Sequence, residues 1–325
     1  MRIAVFGAGA IGSHVAARLV RGGAEVSVVA RGAQLAAVQA RGIRVVAPDW
    51  DEVVRVAAAS DDPAALGVQD AVIVTVKAPA LASVAAGIGP LLGPETAVAF
   101  VMNGIPWWYF HGHGGAWDGR RLGRVDPGGA VWDAVGPGRA VGGVVYSACT
   151  VVEPGVVSVA NRRNRIVLGE PDGRMGGRIA AMAAPLREGG FAVDETARIR
   201  DAIWEKLLGN LAMGPVCVLG GAAPKDLYGD PVVERAVRAG YAEAMAVAAA
   251  VGCPVSVDVD AQIGHGRAMT HRPSILQDLE LGRPMEIDGI YDAALSLAQL
   301  AGVATPVLDR LVALVKVRAR MAGLY

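Results

Sequence analysis

The residues best suited to proton chemistry lie on one predicted helix in the second half of the chain. Lys206, Asn210 and Gly214 recur every four positions, a spacing that places them on one helix face. That face is otherwise small and apolar, and burial there would lower the lysine pKa and suit it to proton transfer. The same spacing also fits a lysine that reaches solvent from the edge of a packed helix.

Two later segments carry further polar candidates. Ser274 lies in the first turn of a helix that Pro273 can start, where a free hydroxyl suits a carboxylate ligand. Alternatively, Ser274 only caps that helix. Glu286 precedes the next predicted helix and could be no more than an N-terminal helix charge. Spacing alone does not bring Glu286 to Lys206, eighty positions earlier.

A G-x-G-x-x-G motif opens the chain. It consists of Gly7, Ala8, Gly9, Ala10, Ile11 and Gly12. It follows a candidate strand and begins a candidate helix, which is the context of a dinucleotide-binding turn. In such a turn the first glycine permits the bend, the second lets a pyrophosphate approach the backbone, and the third allows close helix–strand packing. The alternative is an ordinary glycine-rich turn.

The end of the second predicted strand selects the cofactor. An NAD site has an acidic residue there to bind the ribose hydroxyls. This chain has Val28-Val29-Ala30-Arg31 instead, and the planar guanidinium of Arg31 can bind a 2′-phosphate. We therefore expect NADP(H), although Arg31 could also be a solvated surface arginine.

Two further residues lie at the ends of predicted parallel strands. Lys77 follows Ala71–Val76, and Asn103 follows Thr96–Met102. Because ligands bind at the carboxyl ends of the strands in an open parallel sheet, both would point toward the cofactor crevice. Either alone could be a turn residue; together they favour a site.

The elements around these motifs predict an α/β protein. The first half alternates short apolar strands with helices, as a doubly wound parallel sheet does. The candidate strands are Arg2–Phe6, Glu25–Ala30, Asp70–Val76 and Thr96–Met102, and the helices between them are Ile11–Arg21, Gln34–Gly42 and Leu81–Leu92. β-rich segments follow at Val141–Val152, Val156–Ala160 and Arg165–Leu168. The remaining candidates are helices at Arg198–Leu211, Pro231–Val251, Pro273–Leu281, Gly289–Leu300 and Pro306–Met321. We predict a Rossmann-type domain over 1–197 and an all-helical domain over 198–325.

Composition excludes several classes of function. The 325 residues carry 31 basic and 31 acidic side chains, a balance that argues against a nucleic-acid binder or a polybasic membrane anchor. Three widely spaced cysteines indicate neither a disulfide framework nor a zinc site and fit the cytoplasm. Glycine and proline interrupt the uncharged stretch 207–224, so we expect no membrane-spanning helix there.

The chain resembles the ketopantoate reductase (2-dehydropantoate 2-reductase) family over nearly its whole length. The resemblance rests on Gly7–Gly12, Arg31, Val76-Lys77-Ala78, Asn103-Gly104, Trp204-Glu205-Lys206 with Asn210, Pro273–Asp278, Gly282-Arg283-Pro284, Glu286-Ile287-Asp288 and Gly302–Pro306. It implies an NADPH-dependent reductase of a 2-oxo acid in pantothenate biosynthesis, with two domains around a cleft. A homodimer through the helical half is also expected.

The resemblance also implies roles for single residues. Lys206 matches the proton donor and contacts the substrate, and Glu286 matches the acidic position of the cleft. Asn210 and Ser274 match substrate-binding positions. Three further residues fall on cofactor-contacting positions, namely Lys77, Asn103 and, through its backbone, Ala148.

The sequence departs from the family pattern at three places. Gly214 stands where a second asparagine is common, and Tyr291-Asp292 replaces an asparagine–glycine pair. An insertion over about 105–140 begins with the aromatic run Trp107–Phe110, which could form a lid over the substrate or a packed plug. His111 and His113 have no evident third ligand, so we expect no metal.

We therefore predict reduction of ketopantoate to pantoate. One alternative is a reductase on the same scaffold that acts on a different or bulkier ketone, 2-oxo acid or imine. Another is a non-catalytic NADP sensor, which would not need a lysine on an apolar helix face.

Overall fold

The computed structural model describes all 325 residues as two compact units. The first comprises Met1–Met102 and Pro106–Ile199, and the second comprises Asn103–Ile105 and Arg200–Tyr325. The sequence-based boundary at 197/198 falls two residues before this division. Asn103–Ile105 belongs to the second unit although it lies within the first half of the chain, and no sequence pattern predicts this.

The first unit is an α/β unit with twelve strands. Its strands are β1 (Arg2–Phe6), β2 (Glu25–Val29), β3 (Ile43–Ala47), β4 (Trp50–Val54), β5 (Ala58–Ser60), β6 (Gln69–Val74), β7 (Leu92–Val101), β8 (Ala140–Tyr146), β9 (Cys149–Glu153), β10 (Val156–Val159), β11 (Arg165–Gly169) and β12 (Ala192–Glu195). Its helices are α1 (Ala10–Arg21), α2 (Gly32–Arg41), α3 (Leu81–Gly87), α4 (Ala130–Val135) and α5 (Gly177–Glu188). Short 3₁₀ turns lie at Pro63–Leu66, Ala78–Ala80, Gly89–Leu91, Gly115–Trp117, Pro127–Gly129 and Pro137–Arg139.

Eight strands form the main sheet in the order β12-β11-β8-β7-β6-β1-β2-β5. All neighbours are parallel except β8 and β11. The strand order reverses at β1, which lies between β2 and β6. The predicted doubly wound, Rossmann-type sheet is confirmed, and its switch point lies where the glycine motif begins.

A second sheet of four strands, in the order β4-β3-β10-β9, was not expected as a unit. The predicted β-rich segment Val141–Val152 contains two strands, of which β8 joins the main sheet and β9 joins the small one. Ser147 and Ala148, which lie between the two strands, have no regular secondary structure. Short, half-exposed strands such as β3 and β4 have weak period-two patterns, which explains why the sequence did not reveal them.

Helix α1 is the central packing element of the first unit. It contacts β1, β2 and α5 and also the strands β3, β4, β9 and β10 of the small sheet. Val15, Ala16, Ala17 and Leu19 are fully buried on it. Because α1 packs against both sheets, the turn that starts it is fixed from two sides.

The second unit is helical. Its helices are α6 (Ile199–Gly220), α7 (Pro224–Leu227), α8 (Pro231–Ala250), α9 (Val259–Ala268), α10 (Ser274–Glu280), α11 (Ala293–Ala301) and α12 (Pro306–Met321). Asp230 caps α8 through its carboxylate, which accepts from the amides of Val232 and Val233, and Pro231 is the first helical residue. The predicted all-helical second domain is confirmed.

Helix α6 runs further than predicted. The expected end at Leu211 is wrong, because the helix continues through Gly214 and Pro215 to Gly220. Its second half is buried, and Gly240 of α8 lets the two helices approach closely beside Ala212. Packing therefore outweighs the poor helix propensity of glycine and proline.

Helix α6 is also the one helix long and apolar enough to cross a membrane, and 61% of its apolar window is buried inside the protein. Core helices of globular proteins have the same length and composition. The helix therefore carries no weight as a membrane segment.

A π-helical turn precedes α11. The predicted helix Gly289–Leu300 is instead a π-turn over Asp288–Asp292 followed by α11. The Tyr325 hydroxyl donates to Asp288 (3.0 Å) and Asp292 (3.2 Å), and Lys316 forms an ion pair with Asp292. Such turns are rare and often accompany functional sites.

A buried polar network joins α1 to the loop before the small sheet. The Arg18 guanidinium can only donate, so it fixes His14 Nε2 as its acceptor (3.1 Å). His14 Nδ1 therefore carries the proton and donates to Ser147 Oγ (3.2 Å), which in turn donates to Asn164 (2.5 Å). Burial, with the nearby Arg18 charge, lowers the pKa of His14 to about 3.

His14 makes stability depend on pH. The unfolded chain binds a proton to this imidazole below its ordinary pKa of 6.5, whereas the folded protein does not until about 3. Unfolding therefore takes up a proton across that window, and the free energy of unfolding rises with pH. We expect the wild-type Tm to fall between about pH 7.5 and about pH 5, and His14→Gln to reduce this fall.

The matched control is His265→Gln, because His265 is exposed on α9. Thermal unfolding of the three proteins at both pH values measures the difference. An equal fall in Tm for the wild type and His14→Gln would contradict the assignment.

Candidate active site

The glycine turn between β1 and α1 is held tightly. Gly7 has φ +105°, and a Cβ there would meet Val76 Cγ1 at 2.7 Å. A Cβ on Gly12 would collide with the Gly7 carbonyl. Thr75 Oγ1 donates to that carbonyl (2.8 Å). Two of the three glycines are thus required by the fold itself.

Gly9 differs from its two neighbours in the motif. A Cβ at this position would have no atom within 4 Å. The internal packing of the protein therefore does not require glycine here. Gly9 is also the N-cap of α1 and makes no side-chain cap, and the first turn of α1 has no acidic residue. An open helix N-terminus with free amides is a site for a phosphate.

A cleft of about 290 Å³ opens at this turn. It is lined by Phe6, Gly7, Ala8, Gly9, Val29, Ala30, Arg31, Gln34, Val76, Ala80 and Ser83. These residues come from the carboxyl ends of β1, β2 and β6 and from the elements that follow. The cleft thus lies at the switch point of the sheet, where such sheets bind ligands.

The cationic side of this cleft is Arg31. It is exposed at the N-cap of α2, and no aspartate or glutamate lines the cleft. Gln34, one turn later, was not singled out from the sequence. Its amide donates to Ser13 Oγ (3.1 Å) and accepts from the Gly155 amide (3.0 Å). The sequence signal that could have identified Gln34 is its position three residues after Arg31, one helical turn away.

Two other predicted cofactor residues lie in the first unit. Lys77 follows Val76 of the cleft and is exposed at the start of a 3₁₀ turn. The Ala148 amide donates to Asn161 Oδ1 (2.6 Å), and its carbonyl accepts from the Ala160 amide (2.9 Å). The backbone of Ala148 is therefore already engaged inside the protein.

Lys206 lies in the first half of α6, between Trp204 and Leu207, which are both at most 1% exposed. It keeps some accessible surface, but its surroundings are dense. Burial lowers the pKa of Lys206 to about 8, and the negative charge of Glu286 partly opposes this. A lysine with this pKa exchanges its proton near neutral pH. It therefore fits the expected acid better than the solvated lysine of the alternative interpretation.

Glu286 is brought to Lys206 by the fold. It is 7% exposed and lies two residues before the π-turn. Its carbonyl accepts from the Ile290 amide (3.2 Å), so it belongs to the start of that turn. The charge interaction with Lys206 links two residues that the sequence analysis could not place together.

Asn103 reaches the same turn by a backbone contact. The Ile105 amide donates to the Gly289 carbonyl (3.0 Å). Gly104 has φ +84°, and a Cβ there would collide with the Gly289 carbonyl. The glycine after Asn103 thus allows the segment Asn103–Ile105 to lie against the π-turn, and the second unit contains Asn103 together with Lys206 and Glu286.

The two predicted substrate residues lie on different helices of the second unit. Asn210 is half-buried on α6, one turn after Lys206. Ser274 is exposed and is the first residue of α10, and the N-cap position before it is occupied by Pro273. The alternative in which Ser274 only caps its helix is therefore not supported.

The aromatic run of the insertion packs inside the protein. Trp107, Trp108, Tyr109 and Phe110 are each at most 1% exposed. Trp107 meets the edges of Phe100 and Trp132, and Phe110 stacks on Trp117. Trp108 lies against Gly142 of β8. These side chains form the packed plug, because a lid would need exposed surface.

The two histidines of the insertion belong to the same aromatic cluster. His111 meets the edge of Trp132, and His113 lies beside Tyr109 and Phe110. No group of three or more His, Cys, Asp or Glu side chains in the chain is arranged to hold a metal ion.

Comparisons with known proteins agree with this geometry. The family model described as "Ketopantoate reductase PanE/ApbA" matches residues 3–107, and the one described as "Ketopantoate reductase PanE/ApbA C terminal" matches residues 198–319. A 2-dehydropantoate 2-reductase of Mesorhizobium japonicum is 41% identical over the whole of both chains. Another, from Halobacterium salinarum, is 29% identical, and the alignment covers 98% of this chain and 99% of the relative.

Solved structures show the same likeness. A crystal structure of a candidate ketopantoate reductase from Ralstonia solanacearum MolK2 superposes with a TM-score of 0.93 at 42% identity, covering 100% of this chain and 99% of that one. A 2-dehydropantoate 2-reductase from Methylococcus capsulatus gives 0.85 at 29% identity, covering 99% and 98%. The two-unit architecture, the glycine turn and these full-length matches together show that the chain is an oxidoreductase that belongs to the ketopantoate reductase family.

Proposed function

We propose that this protein reduces 2-dehydropantoate (ketopantoate) to pantoate with NADPH. The observation that carries the proposal is the lowered pKa of Lys206 beside Glu286, on a helix that also presents Asn210. A sensor that only bound the nucleotide would have no use for a desolvated lysine, because holding an ammonium away from water costs free energy.

The cleft of the first unit fits a phosphorylated dinucleotide. Gly9 leaves open space at the α1 N-terminus, and Arg31 supplies the positive charge. An acidic residue would repel a 2′-phosphate, and none lines this cleft. This combination supports NADP(H) over NAD(H) within a family that uses a nicotinamide cofactor.

Lys206 acts as the proton donor in this proposal. When bound, NADPH supplies the hydride that reduces the C2 carbonyl carbon. The Lys206 ammonium stabilises the negative charge that develops on the carbonyl oxygen and gives that oxygen its proton. Glu286 keeps the amine protonated at neutral pH by raising its pKa against the effect of burial.

Asn103, Asn210 and Ser274 complete the proposed site. The Asn210 amide and the Ser274 hydroxyl orient the substrate, with Ser274 near its carboxylate or hydroxyl. Asn103 and Lys77 hold the nicotinamide end of the cofactor, and the Ala148 backbone contact stays a prediction. The homodimer, the cytoplasmic location and the absence of nucleic-acid and membrane partners also stay predictions from the sequence.

The glycine turn provides a first test. We expect Gly9→Ala to keep the wild-type Tm, because its Cβ enters open space, and to weaken NADPH binding by at least about tenfold, because that space is where the phosphate would lie. Gly12→Ala should lower the Tm instead, since its Cβ collides with the Gly7 carbonyl.

Thermal unfolding and titration of nicotinamide fluorescence measure the two effects. Normal NADPH binding by a folded Gly9→Ala variant would argue against the phosphate position.

Arg31 provides a second test. We expect Arg31→Gln to raise the Kd for NADPH by at least about tenfold, since a charge-assisted contact is lost. The Kd for NADH should stay nearly constant, because NADH has no 2′-phosphate. The control is Arg41→Gln, which removes a guanidinium from the far end of the same helix, where it donates to the Pro154 carbonyl. Equal losses for both cofactors would refute the role of Arg31.

Lys206 provides a third test through pH. The reduction needs the protonated amine, so we expect kcat to fall as the pH rises through about 8. Lys206→Ala should lower kcat by about 10²–10⁴-fold while NADPH still binds. Lys206→Arg should also have a low kcat, because a guanidinium stays protonated and does not release its proton, and its remaining turnover should lack the alkaline fall. Lys225→Arg, an exposed lysine, is the control. Unchanged turnover in Lys206→Ala would remove Lys206 from this role.

A further inference from the structure

One buried hydroxyl of the second unit has no hydrogen-bond partner and lies beside the Lys206 stripe of α6. It belongs to Tyr291, in the π-turn, whose side chain is 0% exposed. A buried polar group without a partner costs free energy, so a phenylalanine would suit the fold better at this position. The presence of tyrosine therefore needs an explanation outside stability.

The hydroxyl occupies the space of a missing side chain. A Cβ placed on Gly214 of α6 would collide with the Tyr291 oxygen. The next nearest atoms, Tyr291 Cζ and Ile275 Cγ2, lie at 3.5 Å and 3.6 Å, which is ordinary contact. The single oxygen of the tyrosine is therefore the atom that excludes every residue except glycine at position 214.

Gly214 lies at the end of the stripe of α6 that carries Lys206 and Asn210. Lys206, Asn210 and Gly214 follow one another at helical spacing, so Gly214 is about 12 Å along α6 from Lys206. Ile275, which touches the same place, is next to Ser274. In the proposed site, a substrate bound by Lys206 and Ser274 would extend along α6 toward Gly214 and Tyr291.

The Tyr291 ring is fixed in place. Its neighbour Asp292 is 4% exposed and forms the ion pair with Lys316. The Tyr325 hydroxyl donates to both aspartates of the turn. The backbone that carries Tyr291 is therefore held at both ends, which fixes the point from which the ring extends toward Gly214. Gly214 and Tyr291 are also two of the positions at which the sequence departs from the family pattern.

We propose that Gly214 and Tyr291 form one specificity determinant: the phenol group takes the place of a side chain at position 214 and ends the substrate site along α6. The site then accepts compact 2-oxo acids and excludes those with longer or aromatic side chains. This inference rests on the proposed reductase function.

A double-mutant cycle tests the coupling of the pair. We expect Gly214→Ala to lower the Tm and kcat/KM. Tyr291→Phe removes the colliding oxygen, so Gly214→Ala/Tyr291→Phe should recover the Tm of Tyr291→Phe alone. The matched control is Gly209→Ala, on the same helix as Gly214, combined with Tyr241→Phe on α8. A Cβ on Gly209 would lie 3.7 Å from the Tyr241 hydroxyl, with no collision, so that pair should be additive. A double variant no more stable than Gly214→Ala would overturn the coupling.

Substrate ranking tests the specificity. We would measure kcat/KM with NADPH for pyruvate, ketopantoate, 4-methyl-2-oxopentanoate and phenylglyoxylate. Tyr291→Leu shortens the side chain but keeps it apolar, and we expect it to raise the ratio of bulky to compact acids by at least about tenfold. Should Tyr291→Leu not fold, Tyr291→Phe provides the same comparison with one atom removed and should shift the ratio in the same direction.

The two proposals fail in different ways. A folded wild-type protein that binds NADPH but reduces none of these acids would overturn the proposed function and the specificity role with it. A wild type that reduces them, with a ranking that stays unchanged in the folded position 291 variants, would overturn the specificity inference alone.

Discussion

The desolvation of the Lys206 ammonium is the constraint on which the second unit depends. Removing a charge from water is costly unless an opposite charge lies close by, and Glu286 is that charge. Glu286 is in turn held by the π-turn that follows it, and that turn is held by Lys316 and Tyr325. The balance between burial and the carboxylate sets the pKa of Lys206 near the pH at which a proton donor is useful.

The candidate site of the first unit does not depend on a buried charge. Its glycine turn needs no charge, because backbone amides at a helix N-terminus supply the positive potential. The internal packing accounts for Gly7 and Gly12, whereas Gly9 leaves space that no other atom of the protein fills. The proposed cofactor position of the first unit is thus an unfilled space beside Gly9. The proposed specificity determinant of the second unit is a filled one, where the Tyr291 hydroxyl occupies the place of a side chain on Gly214.

Much of this architecture was predictable from local patterns. The G-x-G-x-x-G motif after β1, the absence of an acid after β2 and the helical spacing of Lys206 and Asn210 each follow from short segments. Strong periodicity also located α8 and α12 well, because apolar spacing and proline at the first helical position are local signals. The small sheet and the full length of α6 were missed, since weak strands and a glycine- and proline-containing helix form only when other elements bury them.

The amino-acid sequence by itself determined the fold class, the glycine turn, Arg31 as the cation of the cleft and Lys206 as a candidate acid. Only the tertiary structure decided that Glu286 acts on Lys206, that Asn103 docks on the π-turn, that Trp107–Phe110 pack as a plug, and that Tyr291 fills the place beside Gly214. The physical reason is the distance along the chain over which each kind of interaction acts. Propensity and periodicity act within a few turns of chain, whereas charge, burial and excluded volume act between residues that only folding brings together.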